Sequence, residues 1–162
     1  MLRRIISDNG IKLFDVTMRD GLQSIKRHIP LETKKNMTVE LLNRRKPDSI
    51  EIGALVSPKA MPQMSTSADL FNYTTEYISK TEGLDTNVFV LVPPKFEKMC
   101  QAHELGVRHV SIMSSVSDEF QLKNVRQTTE QTLSTITNSL QLLHFDSAKV
   151  YLSCVDRCPV TE

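Results

Sequence analysis

The sequence lacks an excess of charge of either sign and lacks any long apolar run. Its 162 residues include 20 Lys and Arg and 19 Asp and Glu, so the formal net charge is +1. Nonspecific binding to nucleic acid or to anionic membranes needs clustered positive charge, so neither is expected as a partner. No apolar run approaches the ~18 residues that span a bilayer. Apolar residues still make up 40% of the chain, which argues against disorder.

Cysteine and glycine are also scarce. The three cysteines, Cys100, Cys154 and Cys158, form no disulfide-like framework, which predicts free thiols in a reducing compartment. Cys154 and Cys158 have neither a second pair nor a nearby His, which disfavours a zinc site. The segment 17–21 contains a single Gly, which disfavours a dinucleotide-binding loop.

The first ten residues are too short for a signal peptide, so a cytoplasmic location is expected.

Strand-like and helix-like segments alternate along the chain. Short runs rich in β-branched and aromatic residues predict strands over 12–17, 48–53, 86–92, 107–113 and 148–154. Apolar residues spaced three and four apart predict helices over 31–45, 68–80, 96–105 and 123–143. Ser67 is the expected N-cap of the second helix. This alternation predicts an α/β fold with a parallel sheet and crossover helices.

Polar side chains lie where the predicted strands end. Ligands of parallel α/β sheets bind beyond the carboxyl ends of the strands. The polar residues at these positions are Arg19, Asp20 and Gln23 after the first strand, Glu51 in the second, Ser114 and Ser115 after the fourth, and Ser153 in the fifth. These residues are the candidates for a functional site.

Arg19, Asp20 and Glu51 carry the most informative charges in this set. Arg19 and Asp20 are adjacent at a strand-to-loop turn, so divergent side chains are expected. Asp is a suitable ligand for Mg²⁺ or Mn²⁺, and Arg stabilises negative charge on an enolate or carbonyl oxygen. A surface Arg–Asp pair of little energetic effect is the alternative. Glu51, between two isoleucines on a buried strand, needs a charged or hydrogen-bonding partner, so an ion pair with Arg19 and a functional role are both consistent with its position.

The four histidines indicate no metal site. They form no HxH or HxxxH pair, so Asp20 is the one credible metal ligand that the sequence offers. His109 lies inside the fourth predicted strand, and we expect it to be packed against neighbouring elements rather than to ligate a metal.

Four segments resemble a known enzyme family. Residues 14–23 (FDVTMRDGLQ) resemble the first-strand motif of the DRE-TIM metallolyases. Three further segments narrow the resemblance to the 3-hydroxy-3-methylglutaryl-CoA lyase branch. They are IEIGALVSPK at 50–59 followed by PQM at 62–64, SVSDEFQLKN at 115–124 with Glu130, and YLSCVDRCP at 151–159. The resemblance extends from about residue 12 to residue 160.

The resemblance implies both a fold and a reaction. The fold is the N-terminal portion, over residues 1–162, of a (β/α)₈ TIM barrel of the pyruvate carboxyltransferase type, with about five of the eight parallel strands. The reaction is the retro-Claisen cleavage of 3-hydroxy-3-methylglutaryl-CoA to acetyl-CoA and acetoacetate with Mg²⁺ or Mn²⁺. By resemblance, Asp20 is a metal ligand, Arg19 and Glu51 are catalytic, and Gln23 and Ser153 bind the acyl-CoA substrate.

Some parts of the family's active site have no counterpart in this sequence. These parts are the HxH metal pair, an Asn ligand and a loop Cys. Eight βα units occupy about 250 residues, or about 31 each, so this chain supplies about five. Five strands cannot close a barrel, and open edges favour self-association. We therefore expect the chain to be inactive alone. It is a truncated product, a chain whose remaining strands a partner supplies, or a decayed relative of the family.

Two alternative functions are consistent with the sequence. The first is a non-catalytic remnant or interaction scaffold that keeps part of a barrel. The second is a related Claisen-type condensing enzyme such as an isopropylmalate synthase. The segment 56–59 (VSPK) followed by PQM favours the lyase branch over the condensing enzyme.

Overall fold

The computed structural model describes residues 10–161, which divide after Val90 into two compact units. The N-terminal segment, in which no signal peptide is expected, lies outside the described residues apart from Gly10. No helix within the described range is long and apolar enough to cross a membrane.

Strands and helices alternate as the sequence predicts. The strands are β1 (Phe14–Asp15), β2 (Ser49–Ala54), β3 (Asn87–Val92), β4 (His109–Ser115) and β5 (Ser147–Ser153). The α-helices are α1 (Leu31–Arg45), α2 (Ser67–Lys80), α3 (Phe96–Glu104), α4 (Asp118–Val125) and α5 (Thr129–Leu143). A π-helical turn (Thr17–Gly21) follows β1, and a 3₁₀ turn (Pro62–Met64) precedes α2.

The five strands form one sheet in the order β1-β2-β3-β4-β5. β1 runs parallel to β2 with Phe14 opposite Ser49, and β4 runs parallel to β5 with His109 opposite Ser147. Consecutive order with a helical connection between neighbours is the arrangement of βαβ units. The predicted parallel α/β sheet with crossover helices is confirmed.

The core of the first unit surrounds β2, whose Ile50 and Ile52 are buried. Gly53 lies so close to α2 that a Cβ there would be 2.3 Å from Ser67 Oγ, and only glycine fits. Ser67 Oγ accepts from the Ala54 N–H (3.0 Å). The expectation that Ser67 is the N-cap is therefore wrong: Thr66 holds that position, and Ser67 is the first helical residue, with its hydroxyl bound to β2.

The second unit contains α4 and α5 where the sequence predicts one helix over 123–143. That prediction is wrong because α4 ends at Arg126, which has a left-handed φ of 61°. A new helix then begins at a capping box: Thr128 Oγ1 accepts from the Gln131 N–H (3.2 Å), and Gln131 Oε1 accepts from the Thr128 N–H (3.0 Å).

The largest differences from the predicted strand boundaries are in β1 and β4. β1 pairs over two residues instead of six because the chain turns at Val16, and Asp15 Oδ1 accepts from the Thr17 N–H (2.8 Å) to start that turn. β4 ends at Ser115 instead of residue 113. Ser114 and Ser115 therefore lie within the strand, not after it, because the ladder with β5 continues to the pair Ser115–Ser153.

The edge strand β5 alternates between half-buried and exposed residues. Val150 and Leu152 are about half exposed on one face. Such apolar side chains on a strand of a parallel sheet are ordinarily covered by a helix.

The three cysteines are free thiols, as predicted.

Candidate active site

The π-helical turn after β1 positions Arg19 and Asp20. The Val16 carbonyl accepts N–H groups from three successive residues: Arg19 (3.2 Å), Asp20 (2.8 Å) and Gly21 (3.3 Å). The turn directs the Arg19 side chain inward, where it is 8% exposed, while the Asp20 side chain is 62% exposed. Such turns are frequent at functional sites because they reorient side chains.

Arg19 and Glu51 form a buried ion pair. Arg19 Nε donates to Glu51 Oε1 at 2.6 Å, and the Glu51 side chain is fully buried on β2. A carboxylate in such surroundings is costly to bury unless a cation balances its charge. The structure thus confirms the ion pair that the sequence offered as one reason for a carboxylate between two isoleucines.

The expected divergence of Arg19 and Asp20 is wrong. Arg19 Nη1 donates to Asp20 Oδ1 at 2.8 Å, so the two neighbours are in contact. Contact is possible because a guanidinium carries five donors in a planar fork. One edge of the group binds the buried Glu51 and another binds the exposed Asp20.

This cluster of Arg19, Asp20 and Glu51 has two chemical capabilities. A guanidinium fixed by two carboxylates is a preorganised cation that can stabilise negative charge developing on a substrate oxygen. The exposed carboxylate of Asp20 is a hard oxygen donor of the kind that Mg²⁺ and Mn²⁺ prefer.

The described residues do not make up a complete metal site. No group of three or more His, Cys, Asp or Glu side chains that could hold a metal ion occurs within residues 10–161. Asp20 can therefore contribute one ligand, and the Arg19 guanidinium beside it weakens the attraction for a cation.

The other two predicted site residues are Gln23 and Ser153. Gln23 follows the π-helical turn in the first unit and lines a cavity of about 350 Å³. Ser153 belongs to the second unit, where its carbonyl accepts from the Val116 N–H (3.1 Å) and from Ser115 Oγ (3.3 Å). Among the described residues, the Ser153 hydroxyl makes no contact that indicates a binding role.

Sequence reasoning missed two buried polar residues next to this cavity. Lys34 on α1 is 2% exposed, and its Nζ donates to the Gln63 carbonyl (2.5 Å) and to Thr66 Oγ1 (3.0 Å). Burial lowers the pKa of the Lys34 amine. The burial of Lys34 could have been inferred from its spacing in the sequence. Lys34, Thr38 and Leu42 lie four residues apart, so they share one face of α1, which is the buried face.

The second missed residue is Gln63, which lies in the PQM segment of the resemblance. Its Nε2 donates to the carbonyls of Ile25 (3.2 Å) and Arg27 (2.7 Å). Its Oε1 accepts from the Ile29 N–H at 2.9 Å. The side chain therefore holds the backbone of the loop after Gln23 in place.

His109 is packed in the second unit, as predicted. Its Nδ1 lies 2.8 Å from Ser147 Oγ on the neighbouring strand, and burial lowers its pKa. It therefore has a hydrogen-bonding role within the sheet.

The chain is similar to one family of known proteins. The HMGL-like family model matches residues 10–160. Over 151 residues the chain is 30% identical to the 3-hydroxy-3-isohexenylglutaryl-CoA/hydroxy-methylglutaryl-CoA lyase of Pseudomonas aeruginosa, a match that covers 92% of this chain and 48% of that lyase. It is 28% identical to the mitochondrial hydroxymethylglutaryl-CoA lyase of Mus musculus, covering 92% of this chain and 44% of the relative.

Solved structures give the same result at the level of the fold. The crystal structure of hydroxymethylglutaryl-CoA lyase from Pseudomonas aeruginosa matches with a TM-score of 0.75 and 29% identity, over 93% of this chain and 48% of that one. An HMG-CoA lyase from Acinetobacter baumannii, solved in complex with coenzyme A and 3-methylmalate, matches with a TM-score of 0.70 and 25% identity, over 86% and 43%. The chain spans about half the length of these relatives, and its fold is part of a (β/α)₈ TIM barrel.

Proposed function

Because this chain belongs to the HMGL-like family, we propose that it provides the N-terminal part of the active site of a divalent-metal-dependent acyl-CoA lyase. The proposed reaction is the retro-Claisen cleavage of 3-hydroxy-3-methylglutaryl-CoA to acetyl-CoA and acetoacetate. The observation that carries the proposal is the Arg19 guanidinium, held between the buried Glu51 and the exposed Asp20 at the end of β1.

In this reaction a base removes the proton of the tertiary hydroxyl, and the bond between C2 and C3 breaks. The electrons of that bond become the enolate of acetyl-CoA, which is then protonated at carbon. Arg19 would stabilise the negative charge on the enolate oxygen through donors that Glu51 holds in position. The base and the proton donor are not assigned to residues of this chain.

The other site residues keep the roles that the resemblance implies. Asp20 would supply one oxygen ligand to Mg²⁺ or Mn²⁺, and the remaining ligands would come from outside the described residues. A bound divalent cation would supply Lewis-acid polarisation of a substrate oxygen. Gln23 and Ser153 are proposed to bind the acyl-CoA substrate.

Activity is proposed to depend on strands beyond β5. The chain spans about half of its relatives, so the missing ligands would be supplied by the remainder of a barrel, on the same or a separate polypeptide. We also propose that two copies of the chain associate through their sheet edges. This association would bury the apolar side chains of Val150 and Leu152.

A non-catalytic scaffold is the second candidate function. It is favoured by the lack of a three-ligand metal group within residues 10–161. The condensing-enzyme alternative has less support, because the relatives reported above are all named as lyases.

The decisive experiment restores the rest of the barrel. The chain is fused to the C-terminal half of the Pseudomonas aeruginosa lyase, and acetoacetate formation from 3-hydroxy-3-methylglutaryl-CoA is measured with Mg²⁺. We expect turnover in the fusion, none in the chain alone, and a loss of about 10²–10³-fold in kcat for Arg19→Gln.

Arg108→Gln is the matched control, because Arg108 pairs with Asp146 at the surface. It should leave turnover unchanged. A folded fusion that is inactive, or one in which Arg19→Gln is as active as the unsubstituted fusion, would favour the scaffold.

A further inference from the structure

The second unit has a groove between α3 and α5 that the proposed reaction does not use. The groove has a volume of about 390 Å³ and is lined by Phe96 of α3 and by four residues of α5, which are Thr135, Asn138, Gln141 and Leu142. Phe96 is 45% exposed and Leu142 is 64% exposed. Isolated exposed apolar side chains are ordinary, whereas two that line one groove are a candidate contact surface. We call this surface the α3–α5 groove.

Most of α5 carries no charged side chain. The segment 131–145 contains no Asp, Glu, Lys or Arg, whereas charged residues make up 24% of the chain. The charged residues that flank this segment, Glu130 and Asp146, each lie eight residues from Asn138, one on either side. Surface helices ordinarily present charged side chains to water. Depletion of charge is instead characteristic of the central part of a protein interface.

The polar side chains of the α3–α5 groove match a second copy of the same surface. Asn138 and Gln141 are exposed, and their carboxamides make no hydrogen bond within residues 10–161. A carboxamide contains both donors and an acceptor, so it can pair with the same group of another molecule. A charged side chain would instead repel its own copy. Because an isologous contact places each surface against itself across a two-fold axis, an uncharged face with carboxamides is self-complementary.

We propose that the α3–α5 groove is the interface of a homodimer, in which two copies of α5 pack antiparallel across a two-fold axis near Asn138. The Asn138 side chains of the two copies then face each other. Leu142 of each copy lies beside Thr135 and Phe96 of the other copy, where its apolar surface is removed from water. This interface is separate from the sheet-edge association of β5, and it does not depend on the lyase function.

The first test measures association of the intact chain by sedimentation equilibrium over a range of concentrations. The monomer mass is 18.4 kDa, and we expect the mean mass to rise toward twice that value. The dissociation constant should be micromolar or weaker, because a contact centred on one helix of each copy is small. Leu142→Asp should weaken association about tenfold or more, since it places an unpaired charge in the interface.

Leu133→Asp is the matched control. Leu133 belongs to the same helix and is 49% exposed, but it does not line the α3–α5 groove. The substitution introduces the same charge outside the interface, so association should be unchanged.

The second test exploits the two-fold axis. Asn138→Lys and Asn138→Asp should each weaken association about tenfold or more, because like charges then meet at the axis. An equimolar mixture of the two variants should recover association, because opposite charges then meet. Misfolding does not account for such a recovery, since a variant that fails to fold would also fail in the mixture.

The proposal is overturned if the chain keeps a mass of 18.4 kDa at every concentration. It is also overturned if Leu142→Asp and Leu133→Asp associate equally well, or if the mixture of Asn138 variants associates no better than either variant alone. Association that is lost in Leu152→Asp but kept in Leu142→Asp would assign the interface to the β5 edge instead. None of these results affects the lyase function, which turnover of the fusion tests.

Discussion

At the scale of single residues, the account depends on a guanidinium that binds two carboxylates through different nitrogens. Glu51 is fully buried, so its charge is tolerable because Arg19 lies 2.6 Å away. This need for a partner was predictable from a carboxylate placed between two isoleucines on a buried strand. The contact with Asp20 was not, because adjacency in sequence does not reveal a π-helical turn.

Replacement of Arg19 by Met should destabilise the fold by about 3–5 kcal/mol, because it removes the cation that balances a buried carboxylate. Urea unfolding measures the effect, and adding Glu51→Gln should restore part of the loss. Arg108→Met, which breaks the exposed pair with Asp146, should cost less than about 1 kcal/mol. Equal losses for Arg19→Met and Arg108→Met would mean that the buried pair contributes no special stability.

Cys158 should be the most reactive thiol of the chain. A hydrogen bond with Ser117 Oγ at 3.0 Å is the main cause that lowers the pKa of Cys158 to about 7. Near pH 7 about half of this thiol is therefore thiolate, the form that reacts with iodoacetamide. Peptide mass spectrometry should show Cys158 alkylated before Cys100, with a roughly tenfold slower rate in Ser117→Ala. An unchanged rate in that variant would contradict the assigned cause.

At the scale of elements, residue spacing predicted the bounds of α1 and α2 to within one residue, although the buried face of α1 includes the polar residues Lys34 and Thr38. It failed between α4 and α5, because no apolar residue lies between Val125 and Leu133 and the spacing therefore marks no helix boundary there. The signal for the break was Thr128 and Gln131, three residues apart, which form the capping box that starts α5. The brevity of β1 was not predictable, since its residues are as strand-like as those of β2.

Arg126→Gly should stabilise the chain by about 0.5–1 kcal/mol. Arg126 ends α4 in the left-handed conformation, which costs little for glycine and more for other residues. Thermal unfolding measures the gain. Lys123→Gly, inside the same helix, should instead lose about 1 kcal/mol. A loss in both variants would contradict the assigned backbone strain.

Lys34 anchors α1 to the 3₁₀ turn. Its burial there should make the free energy of unfolding depend on pH. Burial lowers the pKa of Lys34 below 10.5. Between the lowered value and 10.5 the unfolded chain binds more protons than the folded chain, so the free energy of unfolding rises with pH in that interval. Urea unfolding at several alkaline pH values should show this rise, and Lys34→Met should remove it. The same rise in both proteins would contradict the role of Lys34.

At the scale of the whole molecule, the length per βα unit correctly predicted part of a barrel. The relatives are about twice as long as this chain. Alternation of elements was enough to predict the parallel sheet, because each crossover helix leaves its own periodic pattern. The complete metal site was beyond prediction, since residues 10–161 contain no group of three ligands.

The central claim is that Asp20 presents a carboxylate to a divalent cation beside the Arg19–Glu51 pair. Its most direct test is paramagnetic broadening of backbone amide signals by substoichiometric Mn²⁺, which detects even weak binding. The account predicts selective broadening at residues 17–21 and near Glu51, lost in Asp20→Asn and kept in the control Asp69→Asn. Identical broadening in the wild-type chain and in Asp20→Asn, or no broadening at residues 17–21, would contradict it.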